Sequence, residues 1–137
     1  MFEREVEDNL MELNQITVPA TDVAASVEFY KLLGLRLIVD SVPHYARFEC
    51  PDGNATFSIE HGEENPQAAG IVVYFECLEL DQEVDALKAK GVRFETDPTD
   101  QPWLWREARL RDPTGNSICL FYAGEYRLNP PWRVRTC

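Results

Sequence analysis

Two stretches of alternating and helical periodicity divide the chain into similar halves. Leu13 to Val18 is a short apolar-rich run that reads as a strand. Asp22 then caps a helical stretch reaching Leu33, with Val23, Val27, Tyr30 and Leu33 on one face and Gly34 as its stop. Leu35 to Asp40, Tyr45 to Glu49 and Ala55 to Glu60 read as three further strands, the last two joined by the turn Pro51-Asp52-Gly53-Asn54. Residues His61 to Ala69 are polar, contain Pro66 and read as a linker. The pattern then restarts. Ile71 to Cys77 predicts a strand, Asp81 to Lys90 a helix stopped by Gly91, and Val92 to Glu95 another strand. A loop through Pro98 and Pro102 precedes strands at Arg106–Leu110 and Ser117–Tyr122, which flank Asp112-Pro113-Thr114-Gly115-Asn116.

The halves register without a gap across their first thirty or so residues. A shift of 57 positions pairs Asp22 with Glu79, Val27 with Val84, Lys31 with Lys88 and Gly34 with Gly91, and sets Tyr30 on Leu87. Pro51-x-Gly53 pairs with Pro113-x-Gly115 at a shift of 62. An internal duplication explains matches that keep their order, because each half alone leaves one sheet face unburied. The expected architecture is α+β, with two tandem βαβββ modules. The expected domain spans 13–124 (modules 13–64 and 68–124), after an N-terminal extension 1–12 and before a tail 125–137.

Composition narrows the function classes. At 137 residues and 45% hydrophobic, the chain can build one core without a disulfide or metal. No run reaches the roughly 18 apolar residues of a membrane span, so no membrane partner is expected. Met1 to Asn9 carries five charged residues and no apolar segment, so a secretory leader is not expected either. Cys50, Cys77, Cys119 and Cys137 form no CxxC pair and read as free thiols of a cytoplasmic protein. With 13 basic and 24 acidic residues the formal charge is −11, which disfavours a nucleic-acid partner.

Two motifs carry a resemblance. Phe29-Tyr30-Lys31-Leu32-Leu33-Gly34-Leu35 is similar to the "FY…LG" signature, and Asp112-Pro113-Thr114-Gly115-Asn116 to the DP-x-G-N turn, of the glyoxalase/bleomycin-resistance fold, also called vicinal oxygen chelate. The match runs over 13–122. It implies two half-barrels around a cavity. It is poor for function, since the family includes isomerases, dioxygenases, thiol transferases and drug-binding proteins. Its metal-dependent members place one ligand on the first and last strand of each half. The resemblance puts those places at Gln15, Ser58 (Glu60 as the register alternative), Val72 and Cys119. Some glyoxalase I enzymes use glutamine at the first place, but valine has no electron pair for a metal, and Cys119 stands where glutamate is usual.

Strand alternation gives the same face independently. Residues two apart face one way, so Gln15, Thr17 and Pro19 oppose Ile16 and Val18. The mixed faces predict a pocket lined by Gln15, Ser58, Glu60, Val72, Tyr74, Glu76, Cys119 and Phe121. Gln15, Glu60, Glu76 and Cys119 make four donors if the register slips; otherwise the glutamates face water at the rim. His44 and His61 fall at strand ends and read as exposed. Cys119 in an apolar strand reads as packing, with a raised pKa. Glu76, with Glu60 as second choice, is the candidate base or acid if desolvated. The segment Gln101 to Arg109 sets Trp103 and Trp105 beside arginines, offering stacking surface and a planar fork for an anion. Arg47, Trp105 and Arg109 are therefore expected at the cavity, against the alternative of a wedged loop or dimer contact. Pro130, Pro131 and Trp132 predict an extended strap docked by the indole. The expectation is a homodimeric binder of a small, partly apolar molecule with a polar or acidic group. It uses no cofactor; the alternative is a glyoxalase-like lyase or isomerase.

Overall fold

The same strand order occurs twice. In the computed structural model, which describes residues 12–63 and 71–134, β1 (Gln15–Ala20), α1 (Val23–Leu32), β2 (Arg36–Ser41), β3 (Tyr45–Glu49) and β4 (Thr56–His61) form the first half. The second half comprises β5 (Val72–Glu76), α2 (Leu80–Ala89), β6 (Thr99–Asp100), β7 (Arg106–Arg111) and β8 (Ser117–Tyr122). The sheets run β1-β4-β3-β2 and β5-β8-β7-β6. In each, the first strand pairs parallel with the last, through Thr17↔Ser58 and Tyr74↔Cys119. These are two tandem βαβββ modules. The expectations for the N-terminal extension, for Pro66 and for Cys137 lie outside the described residues. Among the described residues, no helix is long and apolar enough to cross a membrane.

Local chemistry sets the helix ends. The Asp22 carboxylate accepts from the Ala25 amide at 3.0 Å, satisfying one orphan N–H of α1. Gly34 and Gly91 adopt φ of +101° and +95°, a region that side chains resist, and so end both helices at equivalent places. One register expectation fails. Val92–Glu95 is not a ladder strand: it makes a single bridge, Phe94↔Leu110. The amides of Glu95 and Thr96 both reach the Arg109 carbonyl, so the chain bulges, and regular pairing resumes only at Thr99↔Glu107.

The two sheets share one core. Val18, Phe57 and Ile59 from the first and Val73, Leu110, Ile118 and Leu120 from the second join the helix residues Val27, Tyr30, Val84 and Leu87. Tyr30 is fully buried, its ring 4.5 Å from that of Phe57. Its hydroxyl donates to Asp112 Oδ2 at 2.6 Å. Asp112 Oδ1 accepts the amides of Thr114, Gly115 and Asn116, while the Asn116 side chain donates to Asp112 Oδ2 and to the Pro19 carbonyl. The Thr21 amide donates to Thr114 Oγ1. The FY and DP-x-G-N motifs are thus two halves of one latch that ties the β7–β8 turn to β1 and α1.

The latch makes stability depend on alkaline pH. Burial first, then the charge and hydrogen bond of Asp112, push the Tyr30 phenol well above its ordinary value. A folded pKa above the unfolded value means the contribution is whole below about pH 10 and is lost as pH rises beyond it, by about 1.4 kcal/mol per pH unit. Urea midpoints between pH 9 and 11.5 should therefore fall more steeply for the native chain than for Tyr30→Phe. Equal slopes would remove Tyr30 from this account.

The tail departs from expectation. A 3₁₀ turn at Gly124–Arg127 follows β8, but Trp132 is 57% exposed, so its indole is not buried against the barrel. Arg133 instead folds back onto the Leu128 carbonyl and Asn129 Oδ1.

Candidate functional site

Ala108, Leu110, Ile118 and Leu120 of the second sheet turn toward the core, so alternation sends Glu107, Arg109, Cys119 and Phe121 to the opposite face. Tyr74 on β5 completes a row Tyr74–Cys119–Arg109 across three strands. Trp105, just before β7, stacks on Phe121 with centroids 4.6 Å apart and planes 17° from parallel. Tyr74 meets Trp105 and Phe121 edge-on at 6.0 and 5.6 Å. The three rings and Arg109 form one surface.

A buried carboxylate organises it. The Glu107 side chain is 4% exposed. Its Oε2 accepts the Trp103 indole N–H at 2.8 Å and its Oε1 accepts Arg109 Nη2 at 3.1 Å. The same Nη2 donates to the Tyr74 hydroxyl at 3.4 Å, and the guanidinium lies 5.6 Å over the Tyr74 ring. Desolvation pulls the Arg109 pKa down. The Glu107 hydrogen bond and charge outweigh it, with Cys119 and Tyr74 acting in the same direction, and hold the pKa above the ordinary value. Of the five guanidinium N–H donors, Nε–H and the Nη1 pair have no partner among the described residues. Glu107 is the main residue the sequence reading missed as a site member. Its i, i+2 relation to Arg109 was the available signal.

The first sheet carries a polar counterpart. Arg47 Nε donates to the Tyr45 hydroxyl at 2.9 Å, and that oxygen lies 2.8 Å from Ser58 Oγ. The Ser58 hydrogen bond, opposed by desolvation and aided by Arg47, lowers the Tyr45 pKa. Gln15 Oε1 accepts from Thr56 Oγ1 at 2.6 Å. Between β1 and β5 runs a groove of about 380 Å³ whose walls include Gln15, Thr56, Val72 and Tyr74. Tyr74, 45% exposed, joins this groove to the aromatic surface.

Other expected site residues are placed differently. Ser58 is fully buried beneath Tyr45, and Cys119 is fully buried behind Trp105 and Phe121. Burial first, then Glu107, pushes the Cys119 thiol up to about 12, which leaves it inert. Glu76 is not a free base. Its Oε2 accepts the amides of Ala123 and Gly124 at 2.8 and 2.9 Å, and Oε1 lies 3.7 Å from Arg127, so it caps the 3₁₀ turn. Glu60 is exposed at the end of β4, outside any desolvated wall, and His44 and His61 are exposed as well.

The family-implied metal places can be judged on this chemistry. Val72 offers hydrocarbon, Ser58 is committed to Tyr45, Gln15 Oε1 is committed to Thr56, and the Cys119 thiol is buried and raised. Among the described residues, no three His, Cys, Asp or Glu side chains cluster as a metal site. The residues present do not fit the ion.

Paired βαβββ modules, each with its first strand parallel to its last, define the class of fold to which this chain belongs. The chain belongs to the Glyoxalase/Bleomycin resistance protein/Dioxygenase superfamily, whose family model matches residues 12–120. It is 32% identical over 125 residues to the uncharacterized protein YraH of Bacillus subtilis (strain 168), a match covering 81% of this chain and 98% of that protein. Among solved structures, a glyoxalase/bleomycin resistance protein/dioxygenase from Nocardioides superposes with a TM-score of 0.70 at 23% identity, covering 96% of this chain and 95% of that one. A bleomycin-binding protein complexed with bleomycin superposes at 0.67 and 19% identity, covering 82% and 98%. At these identities the structural likeness carries the fold and no residue roles.

Proposed function

We propose that this chain binds a small, partly aromatic molecule bearing a carboxylate or carbonyl group, and that it does so without a metal or other cofactor. The carrying observation is the Tyr74–Trp105–Phe121 surface beside Arg109, an arginine held in place by a buried carboxylate. The exposed side of Tyr74 gives the ligand a ring to stack on, and the uncommitted guanidinium edge gives its oxygen a planar fork. The adjoining groove is within the size range of small-molecule sites, roughly 300–1,000 Å³. Superfamily membership supports small-molecule binding. We also read the chain as a cytoplasmic homodimer: Trp103, Leu104 and Tyr122 leave apolar surface beside the site, which a second copy would cover.

Titration with an aryl carboxylate such as indole-3-acetate, followed by tryptophan fluorescence and by thermal shift, tests the reading. Saturable quenching that disappears in Trp105→Phe is the expected result. Protein purified without added metal should carry less than about a tenth of an equivalent of zinc, nickel, manganese or iron, because the donor set is broken at Val72. Stoichiometric metal on Gln15 and Cys119 would overturn the metal-free reading and return the lyase or isomerase alternative.

A further inference from the structure

The duplication is not symmetric where the latch lies. The β7–β8 turn plugs the end of β1 and the start of α1 by way of Asp112, Thr114 and Tyr30. At the shifts that relate the halves, the counterparts of those three are Cys50, Asp52 and Leu87. A thiol and a hydrocarbon cannot make the bond that a carboxylate and a phenol make, and Leu87 is fully buried without any hydroxyl to offer. The β3–β4 turn therefore has nothing to grip. Pro19 and Thr21, which the first latch bonds, correspond to Glu76 and Leu78, and Ser26, buried in the first turn of α1, corresponds to Glu83. These three, together with Cys50, Pro51 and Asp52, line a cavity of about 580 Å³ in the place where a second latch would have closed.

The chemistry of that cavity is one-sided. Phe75, Leu33, Leu35 and Leu120 supply an apolar floor. Among the described residues, every ionisable side chain around it other than a thiol or the Tyr74 phenol is acidic, and no lysine or arginine lines it. Glu76 is spent on the 3₁₀ turn, but Asp52, Glu79 and Glu83 form no salt bridge among the described residues. Burial, then Glu83 and Glu76, push the Cys77 thiol up to about 11, so it stays neutral and adds no competing anion.

We infer that this vacated latch is a second binding site, which meets the Arg109 surface at Tyr74, and that it takes a small amphipathic amine. Its hydrocarbon lies on the leucine and phenylalanine floor and its ammonium faces Asp52, Glu79 and Glu83. The two sites then select opposite charges on one chain.

Phenethylammonium and its neutral isostere 2-phenylethanol are the probes, titrated at low ionic strength into ¹⁵N-labelled protein. The native chain should bind the amine about fivefold more tightly than the alcohol, with shifts centred on the Leu78 and Glu79 amides. Asp52→Asn/Glu79→Gln/Glu83→Gln alters only exposed side chains and should abolish that preference, whereas Trp105→Ala should leave it unchanged. Equal binding of the two probes to the native chain would overturn the proposal. So would a preference that survives the triple variant, or one that is lost in Trp105→Ala.

Discussion

Asp112→Ala is expected to lower folding stability by about 3–5 kcal/mol, a loss on the scale of truncating a large core side chain. Asp112 is 5% exposed and its carboxylate collects five donors. Three are backbone amides of its own turn, one is the Asn116 side chain, and one is the buried Tyr30 hydroxyl. Alanine leaves the Tyr30 hydroxyl and the Thr114 and Asn116 amides without their acceptor, while the Gly115 amide keeps the backbone carbonyl of position 112 and the Asn116 side chain keeps the Pro19 carbonyl. Each buried orphan costs about 1–3 kcal/mol before relaxation and water entry reduce the total. The Tyr30 contact joins residues 82 positions apart, so its loss loosens the junction of the two halves as well as one turn. Asp112→Asn keeps the Oδ1 acceptor but turns an amide toward Tyr30 and Asn116, both of which donate, and should fall between. Urea unfolding of the four members of the Tyr30→Phe, Asp112→Ala cycle measures the coupling. A loss under about 1 kcal/mol in Asp112→Ala would mean that the latch is closed by other contacts.

The duplication was legible because helix stops and apolar faces repeat with a fixed offset. Gly34 and Gly91 do the same backbone work, and Tyr30 and Leu87 fill equivalent buried places. The face of each strand was legible too, since Ala108 and Leu110 had to seek the core and so aimed Glu107 and Arg109 the other way. Partners across the fold were not. Nothing local in Glu76 announces that its carboxylate will meet the amides of Ala123 and Gly124, 47 and 48 positions on. The Val92–Glu95 expectation failed for a similar reason. Its composition suits a strand, but the bulge on the Arg109 carbonyl is a tertiary event. Glu107 lies between these cases: its face could be read, but its burial depends on Trp103 closing over it from a loop in which Leu104 adopts a φ of +71°.

Arg109→Ala should weaken binding of an aryl carboxylate by about thirtyfold or more, the usual scale for losing a charged hydrogen bond in a partly desolvated site. The structure adds a complication that alternation alone did not reveal. Arg109 also balances Glu107, so the alanine variant strands a buried carboxylate with only the Trp103 indole to hold it. Stability should drop along with affinity, and affinity alone could then report a disturbed surface. Glu107→Gln separates the two effects. By itself it removes the anion that competes with the ligand for Arg109, so it should tighten carboxylate binding while keeping the Trp103 contact through its amide oxygen. Combined with Arg109→Ala, it removes the stranded charge and restores much of the stability, yet affinity should remain low because the fork is gone. Arg109→Lys keeps the charge but not the planar donors, and should recover only part of the binding. Calorimetric titration of the native chain and these four variants reads all the signs at once. Native affinity in the double variant would show that the ligand does not use Arg109. Weaker binding in Glu107→Gln alone would show that Glu107 holds the arginine in position for the ligand more than it competes with the ligand for it.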